Sequence, residues 1–147
     1  MNIQLIPVLA SEFDTLFTVV KQGIYPYVEK LFGWDDDFQK QRLLEEYEPS
    51  WFYWLYIDNI SIGMLCYKPY ANSLHIHLLI IFPEFQNRGF GYLVMSHIHE
   101  SAKTANRKSI TLSSFVLNKD AIRFYKKLGY QLVECENDFQ SFKIEIT

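Results

Sequence analysis

The segment Leu79-Ile80-Ile81-Phe82-Pro83-Glu84-Phe85-Gln86-Asn87-Arg88-Gly89-Phe90-Gly91 constrains this chain more than any other. An apolar run ends at Pro83, which has no N–H to give a sheet ladder. Arg88-Gly89-Phe90-Gly91 then leads into Val94, Met95, Ile98, Ala102 and Ala105, which are apolar at helical spacing. The pattern predicts a strand, a glycine loop and a helix. Glycines in such a loop let backbone N–H groups approach an anion, and the helix N-terminus adds partial positive charge. A phosphate or pyrophosphate suits that arrangement; a turn built only for close packing is the alternative. Neither nucleotide fingerprint is complete. The third glycine of the dinucleotide motif is replaced by Val94, and no Gly-Lys-Ser/Thr occurs.

The rest of the chain supplies a sheet around this unit. Ile3–Val8 reads as a strand. Ser11-Glu12-Phe13-Asp14 has the form of a capping box, with Phe13, Leu16, Phe17, Val20 and Ile24 following at helical spacing. Gly23 and Pro26 are expected to interrupt that helix, with a further piece through Val28, Leu31 and Phe32. Asp35–Asp37 can cap another from about Phe38 to Tyr47. Trp51–Ile57 and Ile60–Lys68 flank Asp58-Asn59, a two-residue hairpin turn. Pro69–Ser73 reads as a loop and Leu74–Phe82 as a strand. Beyond the glycine loop come a strand over Ser109–Val116, a helix opened by Asn118 and closed by Gly129, and strands over Tyr130–Cys135 and Phe139–Ile146. The order β-αα-βββ-α-β-α-ββ predicts a mixed α/β fold, with a mostly antiparallel central sheet flanked by helices. With 147 residues, 49% hydrophobic and 21% charged, a single globular domain over 1–147 is expected.

A net charge of −3 disfavours a general nucleic-acid binder. The charge is uneven: seven acids against three bases from Glu29 to Glu48, and seven bases against one acid from Lys103 to Lys127. Cys66 and Cys135 have no metal-ligand spacing and sit in apolar runs, so buried free thiols are expected. His75-x-His77 offers two ligands on one strand face but no third, so no metal is expected. No apolar run approaches the ~20 residues of a membrane span, and Met1-Asn2-Ile3-Gln4 does not open a signal peptide, so the expectation is a soluble cytoplasmic protein without a membrane partner. The aromatic content suits a monomer or a homodimer.

Two elements in register carry a resemblance. Gln86-Asn87-Arg88-Gly89-Phe90-Gly91 is similar to the Q/R-x-x-G-x-G/A signature of the GNAT superfamily of N-acetyltransferases, and Asn118 to Tyr130 (NKDAIRFYKKLGY) is similar to its second element, N-x-x-A-x-x-F/L-Y-x-x-x-G-F/Y. The specific match covers about Leu74 to Tyr130; elsewhere only the element order agrees. The resemblance implies an acetyl-CoA-dependent N-acetyltransferase acting by direct transfer in a ternary complex. It implies that backbone groups of Leu79, Ile80 and Ile81 pair with the pantetheine arm like an added strand. It implies that N–H groups of Asn87, Arg88, Gly89, Phe90, Gly91 and Tyr92 hold the pyrophosphate, with Gln86 also among the cofactor-binding residues. Asn118 would bond the pantetheine arm, and Lys127, with Lys119, Arg123 and Lys126, would lie near the phosphates. Tyr125 matches the tyrosine whose hydroxyl protonates the departing CoA thiolate.

The base that deprotonates the amine is less direct. The two positions where family members carry a glutamate fall here on His75 and Ser113. An imidazole titrates in the useful range, so His75 (or His77 on the same strand face) is a candidate, beside a water chain or a tyrosine. Tyr25, Tyr27, Glu29, Trp34 and Asp35 fall in the region that lines the acceptor in this fold, and an acidic aromatic wall suits a cationic amine. Two alternatives remain open: a CoA-binding sensor or interaction module without catalysis, suggested by the missing carboxylate, and a transferase for a longer acyl group.

Overall fold

The computed structural model describes residues 2–146. Among them, seven strands form one mixed sheet in the order β1-β2-β3-β4-β5-β7-β6. The strands are β1 (Ile3–Pro7), β2 (Phe52–Ile57), β3 (Ile60–Tyr70), β4 (Ser73–Ile81), β5 (Ser109–Phe115), β6 (Gln131–Cys135) and β7 (Phe139–Glu145). The helices are α1 (Phe13–Phe32), α2 (Asp36–Glu46), α3 (Phe90–Thr104) and α4 (Lys119–Lys127). The predicted order therefore holds. The chain forms two compact units, one made of the chain up to Cys66 with Leu78–Gly91, the other of Tyr67–His77 with everything from Tyr92 onward.

In the first unit, β2 pairs antiparallel with β1 and β3. Asp58 and Asn59 both have positive φ, 49° and 68°, as a type I′ hairpin turn requires. Leu16, Phe17, Val19 and Val20 of α1 pack with Leu43 of α2, Phe52 and Trp54 of β2, and Met64 and Cys66 of β3. The side chain of Asp35 accepts the Phe38 N–H and caps α2, as its position predicted. Two expectations fail here. α1 runs unbroken through Gly23 and Pro26. Pro26 and Gln22 are both exposed, so water can take the Gln22 carbonyl that proline leaves without an N–H. At the other end of α1, Ser11 does not cap. Glu12 instead accepts the Leu9 N–H at 2.8 Å and the Trp54 indole N–H at 3.1 Å.

In the second unit, β7 lies between β5 and β6 and is antiparallel to both. β4 runs parallel to β5 over Ser73–Ile76. Ile110, Leu112 and Phe142 are buried, while Thr111, Ser113, Ser141 and Lys143 alternate onto the other, less buried face. Gly129 adopts φ 102° at the end of α4, and its N–H bonds the Lys126 carbonyl, so the predicted stop is confirmed. The predicted Pro69–Ser73 loop shrinks to Ala71-Asn72, because β3 continues to Tyr70. Ala105 lies beyond α3 and is exposed. Cys66 is buried, but Cys135 is exposed, against expectation. It sits on β6, the last strand of the sheet, where every residue is exposed.

Candidate functional site

The glycine loop is held from below and open above. Pro83–Phe85 forms a 3-10 turn whose Phe85 ring meets Phe90 edge-on, with centroids 5.9 Å apart. The Arg88 guanidinium lies over Phe85 at 5.9 Å. Asn87 and Gly89 have φ of 61° and 82°, which turns the chain sharply into α3. A Cβ at Gly89 would meet nothing within 4 Å. Among the described residues, no backbone carbonyl accepts from the N–H groups of Asn87 or Gly89. The first turn of α3 (Phe90, Gly91, Tyr92) adds N–H groups that helix geometry leaves without acceptors. An open cradle of unpaired donors at a helix N-terminus fits an anionic group. Gln86 does something more specific than predicted: its side-chain N–H donates to the Ile81 carbonyl at 2.9 Å, tying the loop back to β4.

β4 continues past Ile76, the last residue it pairs with β5, so Leu78–Ile81 extend the strand beyond that ladder. The three expected pantetheine contacts are not equivalent. The Ile80 carbonyl is turned to β3, where it sits 2.1 Å from the place a Cβ on Gly63 would occupy. The Ile81 carbonyl is taken by Gln86. Leu79 takes part in neither arrangement. Gly63 is a residue the sequence reading missed, although an isolated glycine in an apolar strand signals close backbone approach.

In the second unit, the Asn118 side chain accepts the Ala121 N–H at 3.2 Å and caps α4. Its amide NH₂ group is not used by the cap. Tyr125, two turns on, is buried, between Phe124 and Tyr130 with ring centroids at 5.2 and 5.7 Å. Burial pushes its phenol up to about 12, so it is protonated at neutral pH. Its hydroxyl is bonded to no other group among the described residues. Lys127 is exposed in the last turn of α4, with Lys126 beside it; Arg123 is paired with Asp120 at 3.0 Å.

His75 and His77 point to the same face of β4 and meet edge to face, with centroids 4.7 Å apart. His75 Nδ1 lies 2.7 Å from the Thr111 Oγ1 of β5. Burial, then the Lys68 ammonium, holds His75 below the usual imidazole range. His77 is pushed down to about 4 by burial, by His75 and by Lys68. Both rings are therefore neutral at pH 7. Ser113, at the second family position, bonds Ser141 at 3.0 Å.

The acidic, aromatic segment is largely self-satisfied. Glu29 accepts the Trp34 N–H at 2.8 Å, Asp35 caps α2, and Asp36 accepts from the Trp34 indole and from Lys21. These bonds hold the Asp36 carboxyl below the usual carboxylate range. Tyr25 packs on Trp34 at 5.4 Å, and Lys21 lies over both rings. Tyr27 is partly buried, next to Val28 in the same helix. The groove along α1 and α2 carries Lys21 and Lys40 beside Asp14 and Asp36, so its charge is mixed rather than purely acidic.

The model of the acetyltransferase (GNAT) family matches residues 17–130. An uncharacterised N-acetyltransferase of Methanocaldococcus jannaschii is 39% identical over 56 residues, 38% of this chain and 25% of that protein. The "Probable N-acetyltransferase san" of Drosophila melanogaster is 29% identical over 89 residues, 57% of this chain and 48% of that protein. The chain thus spans about a quarter and about half the length of these curated relatives. Among solved structures, an N-acetyltransferase of Thermoplasma acidophilum in complex with coenzyme A superposes with a TM-score of 0.75 at 16% identity, covering 99% of both chains. An acetyltransferase of Thermus thermophilus gives 0.75 at 18%, covering 99% of this chain and 97% of that one. At such identities the structures show a shared fold. The family match takes in the glycine loop, Asn118 and Tyr125 together, and on it the chain belongs to the acetyltransferase (GNAT) family.

Proposed function

We propose that this chain is an acetyl-CoA-dependent N-acetyltransferase that transfers the acetyl group directly to a primary amine in a ternary complex, the whole chain acting as one catalytic domain. The observation that carries the reading is the open cradle at Asn87–Gly91 in a chain of this family. Its free N–H groups and helix terminus suit the CoA pyrophosphate, and Arg88 and Lys127 add positive charge for phosphates. Coenzyme A in the Thermoplasma acidophilum structure supports the same donor. Leu79 offers the backbone groups best suited to an extended pantetheine arm, and the Asn118 amide offers a further donor.

In the transfer, the amine nitrogen forms the new amide, the thioester C–S bond breaks, and CoA leaves as a thiol. Tyr125 serves as the proton donor to sulfur, a role its neutral phenol supports, and its phenol is restored by the second proton that the nitrogen sheds on becoming a neutral amide. His75 takes the proton from the acceptor ammonium, a role its neutral imidazole supports. Tyr25, Tyr27, Glu29, Trp34 and Asp35 frame the acceptor, a cationic small molecule or a peptide amine. The mixed charge of the α1–α2 groove favours acceptors that carry an acidic group as well.

Isothermal titration with acetyl-CoA and CoA tests the donor site. Micromolar binding that is lost in Gly89→Glu supports the reading; no binding at millimolar donor overturns it. Binding without acetylation of any amine in a broad panel converts the reading to a CoA-binding module.

A further inference from the structure

The parallel register of β4 and β5 sets His75 directly opposite Thr111, and their side chains meet at 2.7 Å through Nδ1 and Oγ1. A neutral imidazole has one N–H and one lone pair, so the partner of one nitrogen decides which nitrogen can accept a proton. If Thr111 accepts from Nδ1–H, the lone pair lies on Nε2. If Thr111 donates, Nε2 carries the hydrogen and cannot act as a base. We propose that Thr111 is a positioning residue that accepts from His75 Nδ1–H, leaving Nε2 as the atom that takes the proton from the acceptor amine. This inference rests on the transferase reading above and adds to it a residue that the family motifs do not mark.

The surroundings support the assignment. When Nε2 takes the proton, the ring becomes a cation, and its Nδ1–H still needs an acceptor; Thr111 Oγ1 provides one without a change of rotamer. Lys68 on β3 and His77 on β4 bear on His75, the first positively charged and the second neutral at pH 7. On β7, Lys143 lies opposite Thr111 in the sheet and is paired with Glu145 at 3.3 Å. Among the described residues no carboxylate bonds His75, and the Thr111 hydroxyl is the group that orients the ring.

The first test reads the tautomer without any turnover. Long-range ¹⁵N–¹H spectra of the full-length protein at pH 8, assigned with His75→Gln, should show His75 protonated at Nδ1. Thr111→Val should move it to the Nε2–H form that free imidazole side chains prefer, and Thr111→Ser should keep the wild-type pattern. An Nε2–H signal for wild-type His75 overturns the proposal. The second test uses acetyl-CoA with the best acceptor from a panel of spermidine and a lysine peptide. Thr111→Val should lower kcat about tenfold with the KM for acetyl-CoA unchanged. The acid limb of kcat/KM should move to lower pH, because the imidazolium has lost its acceptor. Thr111→Ser should restore both. Unchanged turnover and limb in Thr111→Val overturn the positioning role. Absence of acetyl-CoA binding in the wild-type protein, measured by titration, overturns the transferase reading instead and leaves the tautomer to be judged from the spectra.

Discussion

Gly63→Ala is the most informative single substitution away from the proposed chemistry. A Cβ there would lie 2.1 Å from the Ile80 carbonyl oxygen, 3.1 Å from its carbon and 3.1 Å from the Ile81 Cα. All three are backbone atoms, so no rotamer change relieves the contact. Reaching even 3.0 Å requires β3 and β4 to part locally by about 0.9 Å. Such overpacking costs roughly 1–3 kcal/mol, and the lower entropy of the unfolded alanine chain offsets about 0.4–1 kcal/mol of it. The net loss is about 1–2 kcal/mol, which lowers Tm by roughly 2–8 °C for a chain of this size. The displaced segment is also the strand proposed to hold the donor, so the affinity for CoA should fall. Gly23→Ala is the control. Its Cβ would meet the same residue, but on the side chain, with Ile80 Cδ1, Cγ1 and Cγ2 at 2.6, 2.8 and 3.3 Å, so the β-branched side chain has to shift while the backbone of β4 does not. The helix gains up to about 1 kcal/mol from alanine, which offsets part of the cost of moving the Ile80 side chain, so its Tm should fall less than that of Gly63→Ala. Thermal melts and CoA titration of both variants check this. A Gly63→Ala protein as stable as wild type, with unchanged CoA affinity, would refute the reasoning.

Four further outcomes are expected. Tyr125→Phe should lower turnover while leaving CoA affinity nearly intact. Because the phenol is held up near 12, Tyr125 should put no alkaline limb into the pH–rate profile below about pH 10. Asp35→Ala removes the α2 cap and should destabilise by about 1 kcal/mol in urea unfolding, whereas Asp37→Ala, exposed and outside the cap bond, should cost less. In the native protein a thiol reagent should label Cys135 rapidly and Cys66 only on unfolding, as peptide mapping will show.

The sequence carried those features that are set locally. The Asp58-Asn59 hairpin, the Asn118 cap and the Gly129 stop each depend on residues within a few positions, and each is found as read. So is the glycine loop, whose φ angles are fixed by Asn87 and Gly89. Features that depend on distant neighbours were not legible. The continuity of α1 through Pro26 depends on an exposed helix face, which no local pattern around Pro26 reveals. The exposure of Cys135 follows from β6 lying at the sheet edge, although its apolar neighbours suggest a core strand. His75 was read as a candidate base from its motif position. Thr111 was not, because the two meet only through a parallel register between strands 36 residues apart. The acidic run was read as a ligand wall; its carboxylates also organise their own loop, a role that depends on where Trp34 and Lys21 come to lie.

The placement of β7 between β5 and β6 has a consequence for how the chain is made. Synthesis delivers β5 first and β6 next, yet these two strands never pair with each other, and only β7 joins them. Before β7 docks, the β5 edge is open and Leu132 and Val133 of β6 have no sheet to belong to. Closure of this half of the sheet therefore waits for the last strand in the sequence, and a change that delays the docking of β7 would prolong the interval in which those edges can pair with other chains.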